Sequence, residues 1–320
     1  MRVARMEFAP ASPSKNNNNT THWSLLCYSM LFYQWSVGCI SAGGNPPSII
    51  IKERLEMAVL RSKRHISRYE FEHTFSDLYA FSRERTMRVS KRRKKWLCYN
   101  IDSTMNSIFN MIMEVNEGRF LDGTSTVEKS NLIGRSLDCL IELEKPLMVL
   151  WNIEKYETKK MAYWVELFNK ELFLLNLISN KEEPPKKIMI LDWKRIHETK
   201  FLSKMTELHR YVHGKVVNAK NRYDDTDSSL LISLVDDAFY NLMVANRKIP
   251  ETKEEYERRK EHISKAISSL KKMNRPMTFY FNTMGYSERI MREWSDLLTS
   301  ELKLLYTLQR SDKARFKDLK

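Results

Sequence analysis

The stretch YETKKMAYWVEL, Tyr156–Leu167, returns as YSERIMREWSDL, Tyr286–Leu297, with the frame Tyr-x4-Met-x2-Trp-x2-Leu intact. The two copies lie 130 residues apart, and the same offset holds far to either side. It pairs Leu78 with Leu208, Arg92 with Arg222, Phe109 with Phe239, Met113 with Met243 and Asn116 with Asn246. It continues through Leu140 and Leu270, Pro146 and Pro276, Asn152 and Asn282, and Glu171-Leu172 and Glu301-Leu302. A register kept without insertion over about 110 residues marks a tandem duplication.

Within each unit the apolar residues recur at helical spacing. Four helices are predicted in the first unit, near 65–89, 95–117, 127–154 and 157–178, and four in the second, near 195–217, 226–247, 251–283 and 287–310. Glycine (8) and proline (9) are scarce, which disfavours sheet-rich folds with their frequent turns. The predicted fold is all-α, two tandem antiparallel four-helix bundles, because that arrangement buries four apolar stripes most simply. The bundles occupy 63–180 and 195–320. Residues 181–194 join them as a linker, overlapping the charged, double-proline stretch SNKEEPPKK (Ser179–Lys187). Pro146 and Pro276 fall inside the third helix of each unit and predict a shared bend.

Residues 1–62 differ in character. A polar, asparagine-rich start reads as poorly ordered, and it precedes the apolar, aromatic run Trp23–Gly44. That run is long enough for a membrane span, which leaves a membrane anchor, a signal segment or an over-extended start. The expectation taken here is translation from Met57, just before the first helical pattern. The four cysteines show no paired spacing, so free thiols in a reducing, cytoplasmic compartment are expected.

The formal net charge is +14. Residues 181–320 hold 29 Lys+Arg against 21 Asp+Glu, residues 63–180 hold 19 against 16, and residues 1–62 hold 6 against 3. Such an excess points to an acidic partner, with nucleic acid first. The densest run joins the first two helices and contains Arg83, Arg85, Arg88, Lys91, Arg92, Arg93, Lys94 and Lys95, followed by Trp96. Clustered cations release counterions from phosphate backbones, and a neighbouring aromatic ring can stack on a base. In the second unit Arg222 is the reduced counterpart. Further positive charge there lies in Arg258, Arg259, Lys271 and Lys272 along the third helix, and in the tail Arg310–Lys320. The bland reading of all these residues is a solvated helix surface.

His209 and His213 lie one helical turn apart, a spacing that can hold zinc, but the HExxH glutamate is absent. No third ligand is apparent, and Asp224-Asp225 and Asp236-Asp237 lack a matching pattern in the first unit. No metal or other cofactor is therefore expected. Arg258 and His262 are too close for the Arg-x4-6-His pattern of helical ribonucleases. With no phosphate loop, nucleophile elbow or catalytic carboxylate pair, the sequence predicts a non-enzymatic protein.

Several segments together resemble a known family: the basic SKRRKKW before the second helix, then IDSTMNSIFNMIMEVNEGR, LIELEKPLMVLWNIEKY and KKMAYWVELFNKELFLL. Each unit is similar to the small four-helix-bundle accessory variability determinant (Avd) proteins of diversity-generating retroelements. It is also similar to the proteins encoded by ribosomal-RNA intervening sequences. The resemblance covers roughly 65–178 and, more loosely, 195–310. It implies a non-enzymatic basic scaffold that binds RNA or single-stranded DNA, associates with a reverse transcriptase and assembles as a homo-oligomer. It places Arg83 to Lys95 against nucleic acid. The chain departs from the family in carrying two bundles, and in ending the fourth helices with LFLLNL and LKLLYT. The alternative function is a helical protein-interaction scaffold without nucleic acid.

Overall fold

A computed structural model of the chain describes residues 70–117, 126–179, 187–218 and 225–319. The apolar run Trp23–Gly44, the proposed start at Met57, Cys27 and Cys39 lie outside them. All regular structure among the described residues is helical. The first unit holds α1 (Glu70–Met87), α2 (Lys91–Leu97), α3 (Tyr99–Glu117), α4 (Thr126–Glu142), α5 (Glu144–Glu154) and α6 (Thr158–Ile178). After α7 (Trp193–Glu198), the second holds α8 (Lys200–Val217), α9 (Asp225–Ala245), α10 (Lys253–Lys272), α11 (Asn274–Met284) and α12 (Glu288–Arg315). The fold is all-α.

In the first unit α3 packs on α1 and α4, and α6 closes the circuit by packing on both α4 and α1. In the second unit α8, α9, α10 and α12 make the same circuit. The enclosed side chains obey the sequence offset. Ile101, Ile108, Leu140, Trp164 and Phe168 answer to Leu231, Ala238, Leu270, Trp294 and Leu298, and each is 2% exposed or less. Full burial of one large aliphatic or aromatic side chain is worth about 1.5–3 kcal/mol, so this repeated stripe is the main source of stability.

Two predicted helices divide. The third is interrupted at Leu143 in the first unit and at Met273 in the second, both still in the right-handed helical region, so each proline sits in the first turn of the helix that follows. Proline has no N–H to give the carbonyl four residues back, and the first turn is where that loss is tolerated. Each new helix ends on a left-handed residue, Lys155 (φ 52°) and its counterpart Gly285 (φ 62°). The second helix is preceded by a separate α2, with the break at Cys98, so much of the basic run is helical instead of a connection.

The halves share one core. The helix α5 packs on α8 and α9, and Glu144 at its start is the hub. Buried Glu144 accepts hydrogen bonds from the Tyr240 hydroxyl (3.0 Å) and the Met189 N–H (3.1 Å), and pairs with Arg247. The end of the expected linker is therefore docked. Ile188 and Leu191 are buried, and the Asn169 side chain bonds both the N–H and the C=O of Ile188. Residues 181–186 lie outside the described residues. The stretch Asp227–Ala245 of α9 is long and apolar enough to cross a membrane by length and composition. Here it is a core helix, apolar on several faces because α5, α8, α10 and α11 all pack on it.

Candidate nucleic-acid interface and the cleft between the repeats

The helix α2 forms because its inner side buries Leu97 while its outer side carries cations. Buried Val89 anchors the entry, Ser90 is extended before the first turn, and the Arg93 and Lys94 N–H groups both reach the Ser90 carbonyl at 2.9 Å. Arg93 also bonds Glu154 at 3.0 Å, which ties α2 to the end of α5. Lys91 and Lys95 are exposed and Lys94 is half-buried. The Lys95 ammonium lies 5.1 Å from the centre of the Trp96 ring. Immediately after the helix Tyr99 is 70% exposed, an unusual placement for so large a ring.

Lys95, Trp96 and Tyr99 border a cleft of ≈ 720 Å³ between the repeats. Its other walls come from Lys145, Pro146 and Val149 around α5 and from Ser229, Ser233 and Asp236 on α9. Cations, an aromatic ring and hydroxyls thus meet at one opening, where Lys145 is bonded to Asp237 of α9.

The remaining predicted cations are placed less favourably. Arg83 pairs with Asp102 (3.6 Å), Arg88 pairs with Glu84, and the Arg85 guanidinium lies over Phe81 at 4.6 Å. The Arg92 side chain and all of Arg222 lie outside the described residues. In the second unit exposed Arg258 pairs with Glu254 (2.6 Å), Lys271 lies over Tyr306 at 5.3 Å, and Lys272 is exposed. Arg259 is not a surface cation. Its side chain is 10% exposed and bonds Asp312 and the Ala245 carbonyl, both at 2.7 Å. The expected basic tail is likewise docked in large part, since α12 runs to Arg315 and Phe316 is buried near Tyr256.

At the α8–α9 contact the structure corrects the reading of His209, His213 and Asp236. The third group is present: Asp236, one helix on, accepts from His209 Nε2 at 2.9 Å and from His213 Nε2 at 2.7 Å through one carboxylate oxygen. Asn152 of the other repeat reaches His209 Nδ1 at 2.7 Å, and Arg210 bonds the Asn152 carbonyl at 3.0 Å. Burial pushes His209 down to about 4 despite its bond to Asp236. The two imidazoles hold the Asp236 carboxyl well below the usual carboxylate range, against the opposing effect of burial.

Compared with protein-family models, curated proteins and solved structures, the chain has no match.

Two further buried groups follow the duplication. Glu171 on α6 and Glu301 on α12 are 0% exposed, and neither carboxyl oxygen of either has a hydrogen-bond partner. Burial raises both, Glu171 well above the carboxylate range and Glu301 to about 8. Cys98 is buried and its thiol is pushed up to about 12 by burial, with Asp102 adding to the effect, so it is unreactive near neutral pH.

Proposed function

We propose that the protein binds single-stranded RNA or DNA non-enzymatically, through α2 and the mouth of the adjoining cleft. The observation that carries this reading is the outward-facing cluster of Lys91 and Lys95 beside Trp96 and the 70% exposed Tyr99. Cations track a phosphate backbone, and exposed rings stack on bases of any sequence at about 1–3 kcal/mol each. The ion pairs of Arg83 and Arg88 lie at the surface, where such pairs are worth at most about 1 kcal/mol, so phosphates can displace them. The resemblance of both units to Avd proteins supplies the wider setting, a template RNA or its cDNA as ligand and a reverse transcriptase as protein partner. Photocrosslinking to a 4-thiouridine-containing RNA tests the site. Adducts are expected on peptides containing Trp96 or Tyr99, and adducts confined to α10 and α12 would contradict it.

A protein-binding surface has its own support. The α11 face that corresponds to the inter-repeat face of α5 is uncovered: Phe279 is 58% exposed where its counterpart Val149 is buried, and Asn282 is exposed where Asn152 is buried. Nearby Leu230 is 44% exposed. This face suits self-association that continues the inter-repeat packing. Light scattering of the wild type and Phe279→Glu tests it, the variant being expected to lose the assembly.

A further inference from the structure

We propose that His209, His213 and Asp236 bind one divalent transition-metal ion per chain, Zn²⁺ by ligand class, with access from the cleft between the repeats. The imidazole nitrogens and the carboxylate oxygen all lie within 4.8 Å of one another. Two histidines one turn apart on α8 present Nε2 to the same point, and α9 supplies the carboxylate. Two neutral imidazoles and one carboxylate form a borderline donor set suited to zinc. Zn–N and Zn–O bonds near 2.0–2.1 Å in a tetrahedron set donors about 3.3 Å apart, so the present contacts of 2.9 and 2.7 Å need open by only roughly 0.5 Å.

The surroundings of His209 and Asp236 meet further requirements of a site, while His213 Nδ1 is buried with no hydrogen-bond partner. His209 and His213 are 0% and 2% exposed, so water competes poorly for their nitrogens. Of the three groups, Asp236 lines the cleft, so the approach of an ion and of a fourth partner would be from its side. A metal at Nε2 requires the His209 proton on Nδ1, facing an acceptor. The contact at Nδ1 is the Asn152 side chain, whose Oδ1 is buried without a partner. Turning the amide brings that oxygen to Nδ1–H.

The duplication supplies an internal comparison. The positions of His209, His213 and Asp236 are held in the first unit by Tyr79, Arg83 and Asn106. There the Tyr79 hydroxyl closes the same helix pair by donating to Asn106 Oδ1 at 2.7 Å. One slot in the scaffold therefore carries a phenol–amide bond in one unit and three ligand groups in the other, so the described residues offer this site once.

The test uses the full chain stripped with chelator and titrated with Co²⁺, followed by its visible d–d absorption. The expected result is one Co²⁺ per chain with the intense bands of a four-coordinate ion, displaced by Zn²⁺. Asp236→Asn and His213→Asn should each weaken binding at least about tenfold, and His197→Ala, an exposed control, should not. Because the variants disturb a buried cluster, a second readout uses the wild type alone. Zn²⁺ should shift the ring ¹⁵N signals of His209 and His213 and leave those of His197 and His262 in place. A folded, stripped wild type that takes up no Co²⁺, or Zn²⁺ shifts confined to other histidines, would overturn the proposal.

Discussion

Tyr156 donates its phenolic hydrogen to the carbonyl oxygen of Arg85 at 3.3 Å, and 130 residues on Tyr286 makes the same bond to Lys215 at 2.8 Å. The tyrosine that opens the repeated frame thus ties the start of α6 to the end of α1, and the start of α12 to the end of α8. A buried or half-buried hydrogen bond contributes about 1 kcal/mol net. Tyr156→Phe and Tyr286→Phe should each lose about that much in urea unfolding, and the double variant should lose the sum, because the sites share no partner.

The helices α5 and α11 both end on a left-handed residue, one a lysine and the other a glycine. Lys155 holds φ 52° where Gly285 holds φ 62°, and a Cβ is disfavoured in that region. Lys155→Gly should therefore stabilise, or cost far less than glycine normally does in a helix, whereas Gly285→Ala should destabilise by about 1 kcal/mol. Space is no obstacle at Gly285, where an added Cβ meets nothing within 4 Å, so a loss reports backbone strain in excess of the unfolded-state entropy that alanine removes. Chemical denaturation of the two variants checks this.

Glu171 and Glu301 make stability depend on pH. For each, burial raises the folded-state value above the unfolded one, so the native chain holds a proton that the unfolded chain gives up. Stability is then greatest at acid pH with respect to these groups, and falls as pH rises from the ordinary carboxylate range through about 8 for Glu301. Glu301→Gln keeps the shape and removes the ionisation. It should leave the melting temperature nearly unchanged at pH 4.5 and raise it at pH 8, by an energy on the order of 3 kcal/mol. Glu171→Gln should act in the same direction. A flat difference between wild type and variant across that range would contradict the burial assigned to these carboxyls.

Two adjacent arginines of the α10 basic run should behave oppositely. Removing Arg259 leaves Asp312 buried without its cation and frees the Ala245 carbonyl. Arg259→Ala should cost about 3–5 kcal/mol and loosen the end of α12. Exposed Arg258 pairs only across one helical turn, so Arg258→Ala should change stability by no more than about 0.5 kcal/mol. Thermal unfolding separates the two.

Much of this was readable from residues alone, because duplication and helical period act together. The offset that aligned Leu78 with Leu208 and Trp164 with Trp294 located the buried stripe of both units. Other features needed information that local pattern does not hold. The breaks at Leu143 and Met273 precede their prolines by three residues, because proline is tolerated in a first turn and the chain parts before it. Asp236 meets His209 and His213 from the next helix, a pairing fixed by how α8 and α9 pack. The offset partners Tyr79 and Asn106 form a hydrogen bond as well, but that too is visible only in the folded chain. Arg259 read as one more surface cation, yet it lies four residues before buried Ile263, with Ala266 and Leu270 following on the same stripe. Its period marked it as inward-facing, and its charge concealed that.

The most direct test of the account is fluorescence anisotropy of a labelled single-stranded RNA, titrated with the wild type and with a Lys91→Glu/Lys94→Glu/Lys95→Glu variant over a range of salt. Each phosphate neutralised on a single strand contributes about 0.7 to the slope of log affinity against log salt. The account predicts salt-dependent binding by the wild type, weakened in the variant with a shallower slope by roughly 2, while circular dichroism stays unchanged. Wild-type binding absent at low salt, or a variant that binds with the same affinity and slope, would contradict the assignment of α2 as the nucleic-acid surface.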